Sequence, residues 1–215
     1  MGAGMLLGMV SCAVPLRGEG SQAKPILYEW TDDGGPGEVA VTLDLSRQIA
    51  TYERAGRLIG WSYICTGKPG HETPPGHYTI TEMMDMKYSS HFGWVQDVMG
   101  NVTNGDATPA TRVPPGGVYM PAPMPHWMRL TPSGIGMHGG VIPQPGETAS
   151  HGCVRLPMEF APSLYAAVRV GTSVKVVGEA VVDPRRNAAE THKDSSAGWS
   201  RRDASGPAPS RPGIF

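Results

Sequence analysis

The chain has 215 residues and a formal net charge of −1, with no stripe of Lys or Arg, so the electrostatic footprint of a nucleic-acid partner is missing. Only 17% of residues are charged, while 29 Gly and 21 Pro approach a quarter of the chain. That balance points away from a helical bundle and towards short strands, many turns and long loops around one sizeable core. The three cysteines, Cys12, Cys65 and Cys153, include no CxxC pair, which argues against a disulfide framework and a structural zinc site.

Residues 1–14, "MGAGMLLGMVSCAV", form an apolar run too short to span a bilayer. The run reads as an export leader without a basic n-region, placing the mature protein in the periplasm or cell envelope. "MVSC" is a loose lipobox match, so membrane contact is expected only if Cys12 is lipidated. Residues 15–36 read as a polar linker rich in turn formers.

Regular patterning begins at "EVAVTLDL", residues 38–45, with Val39, Val41 and Leu43 on one face. "RQIATYE" and "RLIGWSYICTG" follow across turn-like breaks, giving consecutive antiparallel strands, and "GHYTITEM" at 76–83 is a fourth candidate. Cys65, inside an apolar strand, reads as a core residue. Residues 84–117 read as a loop-rich insertion. Its aromatics Tyr88, Phe92 and Trp94, with Tyr119, are better suited to packing than to a lid.

Short strand-like pieces resume in "VYMPAPMPHWMRLT" and "GIGMHGG". A helix is expected over 157–171, from the spacing of Phe160, Leu164, Ala167 and Val168 and the stop at Gly171. "SVKVVGEAVV" then closes the domain, set at residues 37–181, and 182–215 read as a disordered tail. The fold class is mostly β with one or two short helices.

The chemistry concentrates in "ASHGCVRLP", residues 149–157. Cys153 follows Ser150, His151 and Gly152 in a turn expected to open the helix, where free N–H groups and the helix dipole would favour a thiolate. The Gly152 and Cys153 amides are candidate oxyanion donors. His138, between glycines and thirteen positions before His151, is the candidate base. His71, His77, His91, His126 and His192 have no such context. Zinc held by His138, His151 and Cys153 fits no common ligand spacing, so neither metal nor organic cofactor is expected.

"MHGG…SHGCVRL" resembles the signature of the L,D-transpeptidase catalytic domain, the YkuD-like family. The opening hairpin followed by "TGKPGHETPPGHYTI", and the approach "MPAPMPHWMRLTPSGIGMHGG", are similar to that family as well, over residues 38–179. The resemblance implies an L,D-transpeptidase-like β-sandwich or barrel. It makes Cys153 the nucleophile, His138 its base and Gly139 the carbonyl that orients the imidazole, with Ser150, His151 and Gly152 shaping the turn. Arg155 stands where several members have Asn, and either clamps local groups or reads a peptide carboxylate.

The implied substrates are peptidoglycan stem tetrapeptides. Cys153 would attack at the third, diamino-acid residue, release D-Ala and pass the acyl group on. Another stem as acceptor gives a 3→3 cross-link, and an envelope lipoprotein gives an anchored protein. Water makes the enzyme an L,D-carboxypeptidase. A non-catalytic wall-binding module is the alternative of a different class.

Overall fold

A computed structural model describes residues 25–180. The leader, the lipidation of Cys12, the tail and the first part of the linker lie outside the described residues. Eleven strands and one short helix build two sheets. β1 (Tyr28–Trp30), β2 (Val39–Asp44), β3 (Ile49–Arg54), β4 (Arg57–Tyr63) and β5 (Gly76–Thr79) precede β6 (Glu82–Gln96), β7 (Val102–Ala107), β8 (Val118–Arg129), β9 (Gly136–Gly140) and β10 (Val154–Pro157). Helix α1 (Ala161–Ala167) and β11 (Ser173–Val177) complete the set. The mostly β class read from the sequence is what the structure has.

The first sheet runs β1-β4-β3-β2-β11-β5. Its centre follows from alternation: Val39, Val41 and Leu43 of β2 are buried while the residues between them are more exposed, and Val41 lies opposite Tyr52. The β2–β3 turn carries one buried polar side chain, Gln48, which is fully used. Its amide donates to the Leu45 carbonyl (2.7 Å) and Thr66 Oγ1 (2.8 Å), and its oxygen accepts from the Thr66 N–H (2.9 Å). A buried amide satisfied in this way fixes where the chain leaves β4.

The second sheet runs β10-β9-β8-β6-β7. Here the structure departs from the sequence reading: the stretch at 84–117 is mostly strand, one long β6 flanked by β7 and β8. Asn, Gly, Thr and Pro weaken strand propensity, and β7 is exposed along most of its length, so no apolar alternation marks it. Pro121, Pro123 and Pro125 sit inside β8. Their spacing of two places the three missing N–H groups along one edge, and β9 pairs with β8 only at Met128 and Arg129, leaving that edge open where the prolines are. Between the pairs Tyr88↔Pro123 and Gly93↔Pro121 the register shifts, so that four residues of β6 face one of β8. This bulge turns Phe92 out of the ladder.

Two further expectations need correction. Residues 28–30, inside the segment read as linker, form β1, pairing Tyr28 with Ser62 and Trp30 with Gly60. Three residues are too few to show a period, but their aromatics find partners: Tyr28, Trp30 and Tyr52 surround the buried Phe160 ring at centroid distances of 5.1, 5.3 and 5.0 Å. Asp32 then takes a two-pronged bond from Arg54 (2.8 and 2.7 Å). The helix is also shorter and later than expected. Val154–Pro157 pair with β9, the chain turns through the Phe160 N–H to Pro157 carbonyl bond (3.0 Å), and the helix ends where Val168 becomes extended.

Phe160, Leu164, Met137, Val154 and Leu156 join the β2–β4 side chains in one core between the sheets. Phe160 is the aromatic keystone of that core, so Phe160→Ala should cost about 3–5 kcal/mol. The check is the midpoint of urea unfolding followed by tryptophan fluorescence.

Candidate active site

Strand β9 is "GMHGG", and its glycines have distinct jobs. Met137 and Gly139 face inward; a Cβ on Gly139 would sit 3.1 Å from that of Ala161. Gly136, His138 and Gly140 share the other face by alternation. A Cβ at Gly136 would fall 2.6 Å from the Trp127 indole, and one at Gly140 would lie 3.0 Å from the Arg155 side chain. The two glycines thus leave room for Trp127 on one side of His138 and Arg155 on the other.

β10 lies parallel to β9, with Val154 opposite Met137 and Arg155 opposite His138. Cys153, immediately before β10, therefore falls beside Gly136 and on the face that holds His138 and Arg155. From strand spacing and rise, its Cα lies on the order of 8 Å diagonally from that of His138. The structure brings together Cys153, His138, Gly139 and Arg155.

His138 is 7% exposed, and its Nδ1 lies 2.9 Å from the Gly139 carbonyl. That contact makes Nδ1 the protonated nitrogen and leaves Nε2 as the acceptor. Burial pushes the imidazole pKa down to about 4, with the Gly139 carbonyl opposing and the Arg155 charge reinforcing the shift. Burial pushes the Cys153 thiol up, against the pull of the Gly136 amide and of Arg155. Both groups are neutral near pH 7. The thiol points at the Gly134 carbonyl (3.6 Å), and no hydrogen bond joins it to the imidazole among the described residues.

Two sequence expectations about this turn are overturned. Cys153 does not stand at a helix entrance, because β10 separates it from α1, so no helix dipole acts on the sulfur. The Gly152 amide is not free either: it donates to Ser150 Oγ (3.1 Å), whose hydroxyl donates in turn to the Cys153 carbonyl (2.5 Å). Ser150 closes the turn on itself, and of the two candidate donors the Cys153 amide carries no such bond among the described residues. Gly152 has φ +110°, a conformation that glycine alone adopts at little cost.

The turn is braced from the 66–73 segment. The amides of Ala149 and Ser150 donate to the Thr66 carbonyl (3.2 and 3.0 Å), and Lys68 N–H donates to the Ser150 carbonyl (2.9 Å). Thr73 Oγ1 donates to the Gly152 carbonyl (2.8 Å) and accepts from Gly67 N–H (3.0 Å). His151 makes its contacts with the β6–β7 hairpin and with His71. Its Nε2 lies 2.6 Å from Asp106 Oδ1, its ring stacks on Phe92 at 4.1 Å, and His71 meets it edge-on at 4.8 Å. Among the described residues no three His, Cys, Asp or Glu stand together as a metal site.

Trp127, Thr73, Asp106 and Phe92 were not singled out as site residues from the sequence. Thr73 lies in the "TPPG" stretch that carried the family resemblance; nothing near Asp106 marks it. Arg155 has no carboxylate partner among the described residues. Its guanidinium meets only the Val141 carbonyl, at 3.5 Å, while its backbone pairs with Cys65 (2.9 and 3.0 Å). Cys65 is fully buried, and burial raises its pKa.

Residues 38–176 match the family model of the YkuD L,D-transpeptidase catalytic domain. That is well over half of the chain, and the chain belongs to this family. The fold is similar to that of an L,D-transpeptidase from Mycobacterium smegmatis, at 23% identity over 66% of this chain and 59% of that one, with a TM-score of 0.50. An L,D-transpeptidase from Stackebrandtia nassauensis matches at 22% identity over 68% and 58%, TM-score 0.48. One from Enterococcus faecium matches at 22% over 65% and 50%, TM-score 0.48. The chain therefore spans less than two thirds of each of these structures. No curated protein sequence matches it.

The buried neutral imidazole has a consequence for stability. His138 takes up its proton near its ordinary 6.5 when unfolded but only near 4 when folded. Its contribution is therefore full above pH 6.5 and is lost as pH falls towards 4, by roughly 3 kcal/mol in all. His138→Gln should flatten the decline of the melting temperature between pH 6.5 and 4, measured by calorimetry across that window.

Proposed function

We propose that this protein is a cysteine-dependent L,D-transpeptidase acting on peptidoglycan stem tetrapeptides. The observation that carries the proposal is the parallel β9–β10 register. It sets a thiol and a tautomer-fixed imidazole on one face of adjacent strands, beside an unpaired guanidinium. Family membership supplies the reaction class, and the leader-like start of the chain supports an envelope location, where such substrates are.

The steps follow from the groups present. As Cys153 Sγ attacks the carbonyl of the third stem residue, its proton passes to His138 Nε2, and the Gly139 carbonyl steadies the resulting imidazolium through Nδ1–H. The Cys153 amide is the donor for the tetrahedral oxygen. When that intermediate collapses, the C–N bond to D-Ala breaks and the departing nitrogen takes the proton from Nε2, leaving a thioester. An acceptor amine then attacks the thioester and gives a proton back to His138. The new C–N bond forms, the C–S bond breaks, and the sulfur is reprotonated from Nε2.

Arg155, without a carboxylate partner among the described residues, would hold a carboxylate of the donor peptide, as guanidinium geometry allows. A stem side-chain amine as acceptor gives a 3→3 cross-link. A lipoprotein lysine gives an anchored protein, and water gives the carboxypeptidase outcome.

Incubation of the full chain with disaccharide-tetrapeptide, read by mass spectrometry, should show loss of D-Ala, an acyl adduct on Cys153 and a dimer product. Cys153→Ala should lower turnover on the order of 10³-fold or more, and His138→Gln by about 10²–10⁴-fold. Intact substrate after prolonged incubation with folded, reduced protein would sink the proposal. Tripeptide without dimer would favour the hydrolase. For the wild type, kcat/KM should fall on the acid side only as pH approaches about 4, where His138 takes its proton.

A further inference from the structure

The side chain of His151 meets Asp106, Phe92 and His71, and it lies in the turn that sets the nucleophile, two residues before it. Its surroundings come from the β6–β7 hairpin. The β6 bulge delivers Phe92, stacked at 4.1 Å and 17°. β7 delivers Asp106, whose Oδ1 lies 2.6 Å from His151 Nε2. The other carboxylate oxygen accepts from Lys68 Nζ (2.6 Å), which leaves the β4–β5 connection.

We infer that Asp106 is a positioning residue for the Cys153 turn, acting through His151 and latching the β6–β7 hairpin beside the nucleophile. The inference rests on the transpeptidase reading above and adds to it a residue from a different element.

The two bonds of Asp106 are unequal. Its side chain is 61% exposed and that of Lys68 is 30% exposed, so their ion pair is solvent-screened and contributes little. The His151 side chain is only 17% exposed and is held on one ring face by Phe92 and edge-on by His71. A ring so enclosed has one direction in which to point its Nε2–H, and Asp106 occupies it. The rest of the turn is tied by main-chain bonds to 66–73, so losing Asp106 frees the His151 corner and the hairpin while the fold stays closed elsewhere. A nucleophile displaced by a fraction of an ångström loses rate although it remains present.

The test compares Asp106→Ala with Asp106→Asn in the full chain. Asn keeps an oxygen for the His151 N–H and loses the ion pair. Two rates are read: acylation of Cys153 by disaccharide-tetrapeptide, and alkylation of Cys153 by iodoacetamide, located by peptide mass spectrometry. Asp106→Ala should slow acylation roughly tenfold or more through kcat rather than KM, the cost expected of a displaced reacting group. Its alkylation should be unchanged or faster, because the thiol is less covered. Asp106→Asn should recover most of the acylation rate.

Acylation by Asp106→Ala within twofold of the wild type overturns the inference, and so does an Asn variant as slow as Ala. If Asp106→Ala does not fold, the Asn variant decides alone: near wild-type acylation supports the latch, and a tenfold loss overturns it. Failure of the transpeptidase reading shows differently, as a wild type that is alkylated at Cys153 but never acylated.

Discussion

Two neighbouring strands that run parallel cannot be joined by a tight turn, and β9 and β10 are such a pair. The connection spans residues 141–153, carries no helix, and must bring the chain back to the end of β9 at which it began. Its last four residues are the Ser150–Cys153 turn. Cys153, the proposed nucleophile, thus stands where a long crossover is forced into register. Slipping that register by one residue would send Val154 and Leu156 to the outer face and Cys153 and Arg155 into the core. The core prevents the slip: Val154 and Leu156 are fully buried against Met137, Phe160 and the first sheet. Hydrophobic burial on one face of β10 is what aligns the chemistry on the other.

A second line of constraint reaches the same turn through polar groups. Gln48 fixes Thr66 from within the β2–β3 turn, and the Thr66 carbonyl receives the amides of Ala149 and Ser150. Ser150 then closes the Cys153 turn. Every polar group in this chain of bonds has a partner, so the turn is specified without burying a formal charge. The same economy holds at the reacting pair. Burial holds the imidazole near 4 and pushes the thiol up, so both groups rest neutral near pH 7. In the proposed reaction, proton transfer accompanies the attack on substrate, when the sulfur gains a bond. Arg155 acts on both groups in opposite senses, easing the thiolate and opposing the imidazolium.

The strands with clean alternation, β2 to β4 and β11, were legible in the sequence because each has one buried face. The "MHGG" and "SHGC" motifs were legible because their glycines answer local steric demands at Gly139, Gly140 and Gly152. What escaped was decided by tertiary partners. β1 is too short to show a period, and its aromatics matter only once Phe160 is in place. Most of β6 and all of β7 carry Asn, Gly and Ser at edge and bulge positions that read locally as loop, whereas β8 was read as strand-like. The helix was expected over 157–171 but occupies only Ala161–Ala167, because Pro157 belongs to the ladder with β9 and the chain is already extended at Val168. That misplacement also produced the expectation of a helix dipole at Cys153. The supposed oxyanion role of the Gly152 amide failed for a different reason: the Ser150 hydroxyl competes for it at closer range.

The two sides of the site differ in how they are held. His138, Gly139 and Arg155 stand on paired strands whose other faces are packed, and a side chain rooted there moves little. The β6–β7 hairpin has the opposite character. β7 is exposed over five of its six residues, its pairing with β6 is irregular, and the prolines of β8 leave an edge that cannot donate to another strand. An element with few buried contacts opens at low free-energy cost, and the opening leaves the core untouched. The contacts that fasten this side are polar ones, from Asp106 to His151 and Lys68.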